Sequence, residues 1–247
     1  VLYIGGQPGV GKSIYSAQIG LNLAKSKHPG VIVSLEMSAL SVIRRIVSTQ
    51  AQVQTKRLKS GLLQEGDWDK FTMAIGEVEN LPLWIDDSSS MTIPKLRNKI
   101  AWLKQQHQIE WMVLDYIALL SGARGKDETE RSAEYSREVV SLCKEFDIAG
   151  ITVSSVTKDV MDGNENPTQA NLRGSGQVIH DAHVIMFIVP DKTNQNIRTC
   201  IIAKVRDEDG AGARFKIIKS IGGYPEFKCL ETRSPNSEAY KPAYFDN

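Results

Sequence analysis

Gly6-Gln7-Pro8-Gly9-Val10-Gly11-Lys12-Ser13 is the stretch that decides how this chain reads. It fits the spacing G-x-x-x-x-G-K-[ST], and its context is the one the motif needs: a buried strand over Val1–Ile4 before it and a helix over Ser13–Lys25 after it. Glycines let a backbone wrap closely around phosphate groups, and successive N–H groups then face the negative charge together with the helix N-terminus. In that cradle, formed by residues 6–13 and Ile14, Lys12 reaches the β- and γ-phosphates and Ser13 coordinates Mg²⁺. The expected ligand is therefore ATP with Mg²⁺.

Two carboxylates further along stand at the ends of apolar runs. Trp111-Met112-Val113-Leu114 ends in Asp115, where a second Mg²⁺ ligand belongs if the strand lies beside the loop. Val31-Ile32-Val33-Ser34-Leu35 ends in Glu36. Glu36 has two readings: a base that orients and deprotonates an attacking water, or an acidic residue that favours the start of the next helix.

The remainder alternates between strand and helix patterns. Helical stretches cover Leu40–Gln50, Lys56–Glu79, Ile93–Gln106 and Glu130–Phe146, with Pro94 in a first helical turn. Strands cover Leu81–Ile85 and Ala149–Ser154. From Val184 the period changes, and Val184–Val189, Arg198–Arg206, Arg214–Lys219 and Glu226–Leu230 read as successive strands with turns at Asp209-Gly210 and Gly222-Gly223. This is an α/β fold with a mainly parallel twisted sheet flanked by helices and antiparallel strands added at its C-terminal edge. Residues 1–230 form one domain, and the polar stretch 231–247 is a loosely held tail. Val1 stands inside a strand pattern with no methionine ahead of it, so a preceding domain and linker are expected to be missing.

Composition narrows the class. The 247 residues carry 30 Lys+Arg against 29 Asp+Glu, a net charge of +1, which excludes coating of nucleic acid by bulk electrostatics but not a local basic patch. No apolar run is long enough to span a bilayer, and no signal peptide opens the chain. Cys143, Cys200 and Cys229 are odd in number and widely spaced, which points to a reducing, cytoplasmic setting without a zinc site.

The motifs together resemble the DnaB-like replicative helicases, which have a RecA-like P-loop NTPase core. The resemblance is carried by the phosphate loop, Ser34-Leu35-Glu36-Met37-Ser38, Leu114-Asp115-Tyr116, Asn171-Leu172-Arg173-Gly174-Ser175-Gly176 with Asp181-Ala182, and Ala203-Lys204-Val205-Arg206. It implies an ATP-driven ring, usually hexameric, that moves along single-stranded DNA, separates the duplex and works with primase. It implies Glu36 as catalytic glutamate, and Lys204 and Arg206 as a basic pair reaching the neighbouring subunit's γ-phosphate. Strand periodicity agrees: Lys204 and Arg206 lie two apart, on one side, with Ala203 and Val205 on the other. In such proteins ring assembly relies on a linker ahead of the first strand, so this piece is expected to be mostly monomeric.

Two polar stretches after presumed parallel strands are candidate DNA-facing loops: Ser121–Arg131, with Arg124, Lys126 and Arg131, and Lys158–Asn171, with Arg173 just beyond. Neither is strongly basic or offers an aromatic for stacking, so backbone N–H contacts to phosphate would have to compensate; ordinary surface loops are the alternative. The sequence also departs from the family. Ser155 stands where a γ-phosphate-sensing Gln or His is usual, and His180 stands where a Gln is usual, either as a replacement sensor or as an ordinary polar residue. Two rival functions remain: a KaiC-like ATPase acting on protein, and a nucleotide-binding regulatory module with impaired turnover.

Overall fold

Residues buried on alternating sides of consecutive strands build this molecule around one sheet. In β1 (Leu2–Gly6), Tyr3 joins one core and Ile4 the other. In β2 (Gly30–Ser34), Val31 and Val33 face the first core and Ile32 the second. In β4 (Trp111–Asp115), Met112 and Leu114 oppose Trp111 and Val113. Successive side chains of a strand point to opposite faces, so an unbroken apolar run covered by helices on both sides fills two cores at once.

The computed structural model describes residues 1–156, 167–172, 175–206, 211–220 and 223–233. It contains a nine-stranded sheet in the order β3-β2-β4-β5-β1-β6-β7-β8-β9. β3 (Leu83–Asp86), β5 (Ala149–Val153) and β6 (Val184–Pro190) complete the parallel part; β7 (Ile197–Val205), β8 (Arg214–Lys219) and β9 (Phe227–Arg233) add antiparallel strands beyond β6. The expected class and the position of the antiparallel extension both hold.

α1 (Lys12–Lys25) and α2 (Ala39–Ala51) cover the face containing Ile4 and Trp111; α5 (Ile93–His107), α6 (Glu128–Glu145) and α7 (Ser175–Asp181) cover the face containing Tyr3 and Leu114. α3 (Thr55–Ser60) and α4 (Asp67–Glu79) divide what the sequence reads as one helical stretch. The break falls at Gly61 and Gly66, whose φ values of 72° and 77° suit residues without a Cβ. Gly30 is required for a different reason: a Cβ there would lie 2.1 Å from the Trp111 indole, which is itself fixed by its Nε1 donating to the His28 carbonyl at 2.9 Å.

Two boundaries differ from expectation. β9 continues to Arg233, three residues past the expected end of the domain, because its main chain pairs with β8 (Arg214 opposite Arg233) and needs no apolar period to do so. α7 has no counterpart in the sequence reading, being too short to show helical periodicity. The turn residues Asp209, Gly210 and Gly222, and the tail beyond Arg233, lie outside the described residues.

Candidate functional site

The parallel strands deliver their carboxyl ends to one place. β1 runs into the glycine loop, β2 into Glu36, β4 into Asp115 and β5 into Ser154 and Ser155. The Leu35 N–H donates to the Asp115 carbonyl at 2.7 Å, tying the end of β2 to the end of β4. The Ser34 hydroxyl then closes the following turn, donating to the Met37 carbonyl at 2.8 Å and accepting from the Met37 N–H at 3.3 Å. Glu36 is presented from this turn, and Ser38 caps α2 by accepting from the Ser41 N–H at 3.3 Å.

A cleft of about 550 Å³ opens there, within the range of small-molecule sites. Gly9, Lys12, Ser13, Glu36, Asp115 and Ser155 line it, joined by Pro8, Gly11 and Ile14. Val10 is buried beneath the loop, and the carbonyls of Gly6 and Gln7 accept from Lys12 Nζ at 2.8 and 3.0 Å. α1 begins after Gly11 without a side-chain cap, so the N–H groups of its first turn keep no side-chain acceptor among the described residues.

The electrostatics are those of a site built for an anion and a cation. Burial lowers the pKa of Lys12, while Asp115 and Glu36 oppose that shift. Burial raises the Asp115 pKa; a hydrogen bond from Ser13 opposes it, Glu36 adds to it, and Lys12 and Arg45 oppose it. Asp115 Oδ1 is buried with no hydrogen-bond partner among the described residues. An orphaned carboxylate oxygen beside a serine hydroxyl is an oxygen donor set that suits a hard divalent cation such as Mg²⁺.

Arg45 is the site residue that sequence reasoning missed. It lines the cleft from α2, where burial lowers its pKa and the Asp115 and Glu36 carboxylates oppose the shift. Its signal was weak: a basic residue three positions after buried Val42 and next to buried Ile46, on the rim of the helix's apolar face.

The remaining candidates lie elsewhere. Lys204 Nζ donates to the carbonyl of Ile179 and, at 2.8 Å, to that of Ala182; Arg206 donates to the His180 carbonyl. Both side chains thus cap the C-terminal end of α7, where cations are favoured, and neither they nor His180 line the cleft. Arg124 and Lys126 are exposed, but their main-chain N–H groups donate to Glu134 at 2.8 Å and Glu130 at 2.7 Å. Those two amides are therefore engaged and do not supply the backbone phosphate contacts expected of this loop. Arg131 donates to the carbonyls of Gly125 and Lys126, both at 3.4 Å, bracing its own loop. Lys158 and Arg173 lie outside the described residues.

The comparisons with known proteins agree with this geometry. The model of the DnaB-like helicase C-terminal domain matches residues 1–222. The replicative DNA helicase DnaB of Geobacillus stearothermophilus is 30% identical over 243 residues, covering 94% of this chain and 53% of that protein. The replicative DNA helicase DnaC of Bacillus subtilis gives the same figures. The chain thus spans about half the length of these relatives. Among solved structures, an isolated ATPase domain superposes with a TM-score of 0.86 at 27% identity, covering 93% of this chain and 84% of that one. A DnaB-like replicative helicase, from a study of its interactions with primase, superposes with a TM-score of 0.86 at 26% identity, covering 93% and 57%. The nine-stranded sheet, the phosphate loop at its carboxyl edge and the match along residues 1–222 lead to one conclusion: this chain belongs to the family of DnaB-like helicase C-terminal domains.

Proposed function

We propose that residues 1–233 act as the ATP-hydrolysing motor of a replicative DNA helicase, moving on single-stranded DNA as part of a homo-oligomeric ring in the cytoplasm and working with primase. The observation that carries this reading is the convergence of Lys12, Ser13, Glu36, Arg45 and Asp115 on one cleft at the strand ends.

Each residue has a task that follows from its place. The main-chain N–H groups of the loop and of the first turn of α1 hold the phosphates. Lys12 exchanges its two carbonyl acceptors for phosphate oxygens, which relieves the penalty of burying its charge. Ser13 and Asp115 would hold Mg²⁺, which when bound neutralises charge on the β- and γ-phosphates. Glu36 accepts a proton from the attacking water, and Arg45 supplies a further positive charge beside both carboxylates. Lys204 and Arg206 complete a neighbouring subunit's site after leaving the end of α7.

Stimulation of ATP hydrolysis by single-stranded DNA tests the proposal; turnover that ignores DNA would favour an ATPase with a protein substrate. Ser155, lining the cleft with a side chain shorter than the Gln or His usual there, favours a second reading, a nucleotide-binding module with weak turnover. ATP binding with no hydrolysis, with or without DNA, would support it.

A further inference from the structure

The phosphate loop is held from behind by strands far from it in sequence. Arg198, near the start of β7, donates from Nε to the Val10 carbonyl at 3.0 Å. Its Nη1 donates to the carbonyls of Gln195 at 2.6 Å and Ile197 at 2.8 Å. A guanidinium is planar, with donors in fixed directions, so anchoring Nη1 on its own strand fixes the aim of Nε.

The consequence lies in the next peptide. The Val10 C=O and the Gly11 N–H belong to one planar trans unit and point in opposite directions. A donor that holds the Val10 oxygen on the back of the loop therefore turns the Gly11 N–H to the front, the side on which Gly9, Gly11 and Lys12 line the cleft. Gly11 has φ 109° and ψ 18°, and a residue without a Cβ has many alternatives to that conformation. A second support acts on the same residue: the Phe227 ring packs so closely that a Cβ on Gly11 would lie 2.7 Å from Cζ. Phe227 is fixed in turn by Gln18, which donates to its carbonyl and accepts from its N–H, both at 2.8 Å.

We propose that Arg198 is a positioning residue for nucleotide binding, setting the Val10–Gly11 peptide plane so that the Gly11 N–H meets a phosphate oxygen. It acts from outside the cleft, and it makes the antiparallel extension part of the phosphate site rather than an edge decoration. The inference rests on the nucleotide reading of the cleft.

The test is calorimetric titration of ADP into the whole chain as wild type, Lys12→Ala, Arg198→Ala and Arg198→Lys, with the melting temperature of each without nucleotide and the amide resonance of Gly11. The expected result is an ADP affinity lowered about tenfold in Arg198→Ala and about threefold in Arg198→Lys, in line with a hydrogen bond from a charged donor. The Gly11 amide resonance moves in both, and the melting temperatures of the free proteins stay close to wild type. A folded Arg198→Ala that binds ADP within twofold of wild type overturns the proposal. Should Arg198→Ala fail to fold, Arg198→Lys decides: wild-type affinity with an unmoved Gly11 resonance overturns it, and weakened binding with a moved resonance upholds it. Wild-type protein that binds no ADP, or Lys12→Ala that binds as tightly as wild type, defeats the nucleotide reading and this inference with it.

Discussion

Lys12 Nζ donates to the carbonyl of Gly6 at 2.8 Å, so the lysine expected to meet phosphate is folded back onto the loop that carries it. A second bond to Gln7 at 3.0 Å completes this arrangement, and burial disfavours the charge that both bonds satisfy. Phosphate oxygens are stronger acceptors than neutral carbonyls, so nucleotide entry replaces these contacts with charge-assisted ones. Lys12→Ala removes the gain. ATP affinity should fall about 10–150-fold, the span expected for losing a hydrogen bond to a charged group. Unchanged affinity in a calorimetric titration would refute the phosphate-loop reading.

Glu36 stands in a turn closed by Ser34, beside the end of β4. Glu36→Gln keeps the shape and removes the base, so hydrolysis should slow about 10²–10⁴-fold while ATP binding persists. Hydrolysis at the parental rate would return Glu36 to the role of an acidic residue before a helix.

Asp115 gives a prediction with opposite signs for stability and activity. Burial raises its pKa above that of the unfolded chain. An acid with a raised pKa in the folded state binds its proton more tightly there. The free protein is therefore favoured as pH falls through the folded pKa, and the bare carboxylate is a net cost above it. Asp115→Asn should raise the melting temperature of the nucleotide-free protein at neutral pH by about 2–4 °C per kcal/mol relieved. It should also abolish the Mg²⁺ dependence of ATP binding. A lower melting temperature at neutral pH, with Mg²⁺-dependent binding intact, would contradict both halves.

Lys204 and Arg206 hold the end of α7 and do not line their own chain's cleft. If they serve a neighbour, Arg206→Ala should leave nucleotide affinity nearly unchanged and reduce assembled turnover by up to about 10³–10⁵-fold, the range for an arginine acting in trans. Mixing Arg206→Ala with Glu36→Gln protein should restore part of the activity, because each supplies what the other lacks at a shared interface. No recovery in a mixture shown to assemble would place the complete site within one chain.

The sequence alone was enough for the parallel core, the cradle and the two carboxylates, because each depends on contacts a few residues long. Apolar runs in β1, β2 and β4 end where their strands end, and the next polar residue necessarily emerges at the sheet's carboxyl edge. Lys204 and Arg206 were also legible as a same-side pair from the strand period. Their resting partners were not, since α7 is too short to leave a periodic signature. The division between α3 and α4 went unread for a related reason: two glycines in a polar stretch do not say that both will adopt positive φ. Arg45 became a cleft residue only when α2 was set against the ends of β2 and β4. The bond from Arg198 to Val10 joins residues 188 positions apart, and the Gln18–Phe227 pair spans 209. Contacts of that separation leave no local pattern, because they arise from the order in which nine strands pack side by side. A phosphate loop was therefore readable from eight consecutive letters, whereas what holds its peptides in place was decided by the tertiary structure.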